Sequence, residues 1–220
     1  KTIDHRLSAI DYFGRIGVLM GGPSSERGIS LKSGKAVYEA LKHLRLAAVA
    51  IDIKTEDIKN NIRLIKYHKI DCAFLALHGR FGEDGTIQEI LDVLKIPYTG
   101  SGALASRLAM DKIASRQIFA LAGLNVPRYK VLNKPAYRSG GRFQNSLGWP
   151  LVIKPAMSGS SIGLSMINKK SELKKAIELA FAFDQRIIIE EHIAGREVTV
   201  GILDNQALPV IEIIPNNEFF

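Results

Sequence analysis

The sequence predicts an α/β chain, with an N-terminal open parallel α/β sheet followed by an α+β domain. Three observations predict it. Apolar runs alternate with segments of 3.6-residue period through the first hundred residues. Those runs are continuous rather than alternating, as in strands covered on both faces. Beyond about residue 112, strand-like segments are joined by short turns around one amphipathic helix.

The elements follow in order. Ile16–Met20 is a short apolar run closed by Gly21-Gly22. A helix follows, with Ala36, Val37, Ala40, Leu41 and Leu44 on one face. Ala47–Ile53 and Cys72–Leu77 are the next two strands. Ile87, Ile90, Leu91 and Leu94 mark a helix with Thr86 placed to cap it. Ile96–Thr99 reads as a short strand closed by Gly100-Ser101-Gly102. Helical stretches around Leu104 and Ile118 end at Gly123, with Pro127 beyond, in the order of a helix stop. Residues 133–148 are aperiodic and read as a surface loop. Strands near Leu151–Ile153 and Leu164–Ile167 come next. A helix carrying Leu173, Ala176, Ile177, Ala180 and Phe181 then leads to the strand Ile187–Ile189. Val198–Leu203 and Leu208–Ile214 are strands joined by the turn pair Asp204-Asn205.

Composition narrows the function. The 220 residues carry 30 Lys+Arg and 22 Asp+Glu, a net charge of +8. The basic residues are scattered singly or in pairs, which disfavours nucleic acid, and the modest positive excess suits a small anionic ligand. No apolar run reaches the roughly 18 residues of a membrane span. Lys1–Gly14 mixes charged with apolar residues and has no signal-type apolar stretch. Cys72 is the sole cysteine, so no intrachain disulfide forms and a reducing compartment is expected.

Four stretches carry chemistry. In Val152–Gly163, Lys154 leaves the end of an apolar strand and a Gly/Ser loop follows. Successive amides in such a loop form a concave anion site, and the lysine supplies a cation. A plain hairpin fits the same residues, and a P-loop is excluded because no Gly-Lys-Ser/Thr ends it. His78–Gly85 follows a strand directly, where open parallel sheets bind ligands, although a solvated turn reads the same way. Gly21–Gly28 also joins a strand to a helix but lacks the dinucleotide spacing, and Glu26 there can simply offset the helix dipole. Glu190-Glu191 ends the strand of isoleucines with paired carboxylates, or a surface turn.

Taken together in the order GGPSSERGIS, ALHGRFGEDGTIQ, PYTGSG, MDK, VIKPAMSGSSIG, IIEEHIAGREVTV, these motifs resemble the D-alanine–D-alanine ligases of the ATP-grasp superfamily, from about Arg15 onward. The resemblance implies an N-terminal substrate-side domain at 1–112, a central ATP-grasp domain at 113–198 and the start of a C-terminal domain at 199–220, the last truncated. It implies ATP and Mg²⁺ as cofactors, with the metal ligands beyond residue 220 and none within the chain. It places Lys112 and Lys154 on the nucleotide phosphates and closes the loop with Ser160 and Ser161 over them, Ser160 taking part in catalysis. It places Glu190, Glu191 and Ile193 at adenine and Glu197 at ribose. Glu26 holds the amino group of the first D-alanine and counts as catalytic, while His78 lines its carboxylate region. A cytoplasmic homodimer serving peptidoglycan precursor synthesis, with D-alanine and ATP as partners, follows from the same resemblance. Ser158 departs from the pattern, since many members carry glutamate there. A ligase using D-lactate or D-serine, and a non-catalytic nucleotide-binding module, are the competing readings. Glu26 together with His78 argues against the second.

Overall fold

In the computed structural model of the chain, which describes residues 13–141 and 143–214, the first apolar run is a strand buried at every position. This strand, β1 (Ile16–Gly21), lies between β2 (Ala48–Ile53) and β3 (Cys72–Leu75), and both pairings are parallel. Parallel neighbours need crossovers, and these are α1 (Arg27–His43) and α2 (Ile58–His68). α3 (Thr86–Leu94) and α4 (Ala103–Met110) complete the first unit. Both faces of the sheet are covered, as its continuous apolar strands require. Val18 and Met20 of β1 pack with Leu31, Val37 and Leu41 of α1. Leu19 points the other way, into a cluster with Ile51, Ile53, Ile65, Ile87 and Leu91.

The first unit departs from the sequence expectation in three places. Ile96–Thr99 shrinks to one parallel bridge between Ala73 and Tyr98, because Pro97 has no N–H to extend the ladder. Thr86 is not the cap of α3. Gly85 holds the cap position at φ +90°, and the Asp84 carboxylate accepts the Thr86 N–H at 3.0 Å. A side chain at 85 would be strained at that φ and would run into the Ala103 carbonyl. Helix α2 was not anticipated, although Asp57 caps it by accepting from Asn60 N at 2.9 Å and Ile65 is fully buried beneath it.

The chain divides after Asp111 into two compact units. The second begins with α5 (Lys112–Leu121) and contains an antiparallel sheet in the order β4 (Tyr129–Asn133), β7 (Arg186–Glu191), β5 (Leu151–Pro155), β6 (Ser165–Ile167). Helix α7 (Leu173–Phe183) covers one face, with Ala176, Ile177, Ala180 and Phe181 against Leu151, Ile153, Ile187 and Ile189. Strand β4 was not anticipated. The stretch expected to be a loop contains α6 (Lys134–Arg138), started by Pro135, whose Tyr137 ring lies 5.6 Å from that of Phe181. Of the two expected terminal strands, Val198–Leu203 is broken into two and Leu208–Ile214 shortens to Ile211–Ile213. β8 (Glu197–Thr199) pairs with β11 (Ile211–Ile213), and β9 (Ile202–Leu203) pairs with β10 (Gln206–Ala207) across Asp204-Asn205. Both turn residues have positive φ, as a tight hairpin demands. Most of the N-terminal stretch read for signals, and residues 215–220, lie outside the described residues.

One buried hydroxyl ties the carboxyl ends of the first sheet together. Ser30, fully buried on α1, accepts the Gly21 N–H at 2.9 Å and donates to the Ala76 carbonyl at 2.7 Å. Ser30→Ala leaves a buried donor and a buried acceptor unpaired, which should cost about 1–3 kcal/mol. Denaturant unfolding of the variant would check this, and an unchanged midpoint would show that Ser30 is dispensable.

Candidate active site

Two constellations of functional side chains form, one in each unit. In the first, β1 and β3 are neighbours although β2 separates them in sequence. The chain crosses over to one side of β1 and then to the other, and such a reversal opens a crevice at the carboxyl ends of the two strands. The loop after β1 carries Ser24 and Glu26, and the loop after β3 carries His78, Gly79 and Glu83. Ser24 joins them, since its hydroxyl donates to the His78 carbonyl at 2.8 Å and accepts the Glu26 N–H at 3.2 Å. Gly79, at φ +69°, leaves room that a Cβ would take from the Glu26 carboxylate. Glu26 is therefore pressed against the second loop. The His78 ring is held between Ser33 Oγ, 3.3 Å from Nε2, and Glu83, 3.7 Å from Nδ1. Arg27 is committed elsewhere, to Asp52 at 2.8 Å and the Ile53 carbonyl at 2.9 Å. Buried Gln88 donates to the Gly82 carbonyl at 2.9 Å and pins the second loop from beneath.

In the second unit the strand period decides which side chains meet. Odd-numbered residues of β5 and β7 face α7, so Lys154 and Glu190 lie on the opposite face. Lys154 stands opposite Ile188 and Glu190 opposite Val152, which makes the two diagonal neighbours within reach of a long side chain. The Lys154 ammonium contacts one Glu190 oxygen, and Arg116 Nη2 donates to the other at 3.2 Å. Arg116 lies one turn along α5 from Lys112, on the same face. The Lys112 ammonium donates to the Ser158 carbonyl, and the Lys112 main-chain N–H donates to the Ala156 carbonyl at 3.0 Å, so α5 holds the start of the Gly/Ser loop. Asp184 fixes the same point by accepting the Met157 N–H at 2.8 Å.

This cluster has more cations than anions. Burial, then the charges of Lys154 and Arg116, push the Lys112 ammonium below the ordinary lysine range, against the opposing pull of Asp184 and Glu190. An arriving polyanion would relieve that strain. Ser160 and Ser161 stand in the loop with φ of +48° and +57°, a left-handed pair that turns consecutive amides to one side.

Of the residues expected at the site, Lys112, Lys154 and Glu190 are brought together, and Glu26 and His78 share one crevice. The Glu191 carboxylate is occupied by Arg128, through its main-chain N–H at 2.8 Å and Nε at 2.7 Å, and that pairing lowers the Glu191 pKa. Ile193 is exposed beyond β7, and exposed Glu197 opens β8. Sequence reasoning missed Arg116, which reads as one more solvated helix cation, and Ser24 and Ser33, whose roles depend on contacts distant in sequence. Among the described residues, no group of three His, Cys, Asp or Glu side chains is placed to hold a metal ion. No helix among them is long and apolar enough to cross a membrane.

Comparison with known proteins places this arrangement. The family model described as D-ala D-ala ligase C-terminus matches residues 118–220, and that described as D-ala D-ala ligase N-terminus matches residues 56–101. The D-alanine–D-alanine ligase of Trichlorobacter lovleyi is 49% identical over 210 residues, 94% of this chain and 64% of its own length. That of Geotalea uraniireducens is 48% identical over 206 residues, with the same shares of the two chains. This chain therefore spans just under two thirds of the length of these relatives. Among solved structures, the Bacillus anthracis D-alanine–D-alanine ligase superposes with a TM-score of 0.79 at 39% identity, over 90% of this chain and 64% of that one. The VanG D-Ala:D-Ser ligase of Enterococcus faecalis superposes with a TM-score of 0.70 at 30% identity, over 90% and 67%. Both units thus have their counterparts in one kind of protein, and the chain belongs to the D-alanine–D-alanine ligase family.

Proposed function

We propose that the chain provides the first-substrate and nucleotide-binding parts of an ATP-dependent ligase that joins two D-alanines. The observation that carries this reading is the buried cation cluster of Lys112, Arg116 and Lys154 under a Gly/Ser loop. Phosphoryl transfer needs mostly positioning and charge neutralisation, and this cluster offers both. A Bacillus anthracis relative, 36% identical with a TM-score of 0.79, is described in complex with ATP, which supports the nucleotide assignment.

In the reaction, a carboxylate oxygen of the first D-alanine attacks the γ-phosphorus, the bond to the β,γ-bridging oxygen breaks, ADP leaves with the bonding pair, and the carboxylate becomes an acyl phosphate. The amine of the second D-alanine, its ammonium having given up a proton to solvent, then attacks the acyl carbon; inorganic phosphate leaves with the bonding pair, and the nitrogen sheds a second proton to become the amide N–H. Glu26 holds the first ammonium in the crevice between β1 and β3, and His78 lines the carboxylate beside it. Lys112 and Lys154 neutralise phosphate oxygens, and the loop with Ser160 and Ser161 closes over the acyl phosphate and keeps water from it. Glu190, Glu191 and Ile193 form the adenine edge, with Glu197 at the ribose. Because the Glu191 carboxylate is held by Arg128, its contribution at adenine comes from the main chain. Magnesium belongs to this chemistry in the family, and its ligands come from outside the described residues. The proposal extends to a three-domain organisation, a homodimer in the cytoplasm and a role in peptidoglycan precursor synthesis. D-alanine is favoured over D-serine or D-lactate as the second substrate by the names of the relatives at 46–49% identity.

Three outcomes test this reading, each in the chain extended to the length of its relatives. Lys154→Ala should weaken ATP binding by about 1.5–3 kcal/mol, roughly 10–150-fold, in calorimetry. An affinity within twofold of the parent would remove Lys154 from the phosphate site. Glu26→Gln should raise KM for D-alanine far more than KM for ATP, and the reverse pattern would assign that loop to the nucleotide. The third outcome concerns pH. A bound phosphate favours charged Lys112, whose pKa in the free protein is held below the ordinary lysine range by burial and by the charges of Lys154 and Arg116. As pH rises through that lowered value the free protein gives up the proton, so binding must take it back and affinity falls. Calorimetry in buffers of different ionisation enthalpy should show proton uptake in that range, and Lys112→Arg should abolish it. Uptake that persists in Lys112→Arg would exclude Lys112 as its source.

A further inference from the structure

The Lys154 ammonium, needed on a nucleotide phosphate, is already engaged. It contacts Glu190, whose side chain is only 7% exposed. A buried carboxylate stripped of its counter-ion is far costlier than one that keeps it. If Lys154 alone neutralised Glu190, transferring the ammonium to a phosphate would strand that carboxylate, and the nucleotide would have to compete with it.

The structure provides a second counter-ion. Arg116 approaches Glu190 from α5, and the two cations divide the carboxylate, Lys154 on Oε1 and Arg116 on Oε2. Arg116 is itself mostly buried, and its Nε–H has no hydrogen-bond partner among the described residues. A guanidinium stays charged under all working conditions and presents a planar fork to a carboxylate. The neighbouring Lys112 feels this crowding, since Lys154 and Arg116 are both among the causes that lower its pKa.

We infer that Arg116 is a positioning residue, the permanent counter-ion of Glu190 that frees Lys154 to leave this carboxylate for the nucleotide phosphates. The inference rests on the nucleotide reading above. No covalent step is involved: one ammonium exchanges a carboxylate oxygen for a phosphate oxygen, and Arg116 keeps Glu190 neutralised throughout. Arg116 itself contacts no phosphate in this scheme. Its effect passes through Glu190 and therefore depends on the charge at position 190.

A double-mutant cycle on the full-length protein reads that dependence. ATP affinity is measured by calorimetry for the parent, Arg116→Met, Glu190→Gln and the double variant, with thermal melting to confirm that each is folded. Arg116→Met should weaken ATP binding at least tenfold in the parent background. In the Glu190→Gln background, where no buried anion competes for Lys154, the same change should cost less than threefold. Arg116→Lys, which keeps the charge, should recover most of the affinity and provides the comparison if Arg116→Met does not fold. Steady-state kinetics should place the loss in KM for ATP, with KM for D-alanine unmoved. An equal loss in both backgrounds would overturn the inference, because it would mean direct nucleotide contact or a merely structural role. An Arg116→Met affinity within twofold of the parent would overturn it as well. A parent that binds no ATP would overturn the proposed function itself. Cycle results that fail in a parent that does bind ATP would overturn only the role of Arg116.

Discussion

The two-residue alternation of paired strands β5 and β7 is the constraint on which the second unit depends. One parity places Leu151, Ile153, Ile187 and Ile189 under α7, and the other places Lys154 and Glu190 on the far side. Core and site are therefore specified by one register. A slip of one residue would carry an ammonium into the apolar cluster and expose isoleucines in its place, so the cost of a wrong pairing falls on stability and chemistry together. Helix α5 then needs only to bring one face, Lys112 and Arg116, over charges the sheet has already positioned.

The first unit ties its central strand ends together with neutral groups. Its crevice exists because β1 and β3 are neighbours, and the strand ends are held by a neutral hydroxyl, Ser30, between two main-chain groups. Ser24 repeats the device one layer out, between the loops. Neutral bridges of this kind leave the carboxylate of Glu26 and the ring of His78 as the chemically distinctive groups of the crevice. The second unit differs in carrying an excess of cations, Lys112, Lys154 and Arg116, which suits the polyanionic ligand proposed for it.

The fold class was legible because it depends on apolar runs, which local sequence records directly. Helix α2 was legible in principle, since Ile58, Ile62 and Ile65 recur at helical spacing and Ile62, Leu64 and Ile65 meet the core, but Lys, Asn and Arg between them mask the period. α6 escaped because five residues are too short to show a period, and its reason for existing is Tyr137 against Phe181, a distant contact. Thr86 reads as a cap by chemistry, yet the neighbouring backbone had already turned left-handed at Gly85. Within the site, Lys154 stood out because a lysine ending an apolar strand beside a Gly/Ser loop is unusual. Its pairing with Glu190, 36 residues away, was not legible, since it follows from strand register rather than from spacing. The assignment of ligands to these residues came from resemblance of motifs, which no single stretch would have supported.

The place of β7 in its sheet has a consequence for biosynthesis. It lies between β4 and β5, yet it follows both in the chain. A ribosome adding about 5–20 residues per second completes the parallel strands of the first unit before any of the second sheet emerges. Strand β5 can pair with β6 soon after it appears, but its other edge waits for residues 186–191, and β4 waits longer. For roughly 2–7 s, the time to make the 36 residues from Pro155 to Glu191, that edge has no partner and is open to pairing with another nascent chain. The strand that completes the candidate nucleotide site thus also ends the period in which the newborn chain is most vulnerable to misassembly.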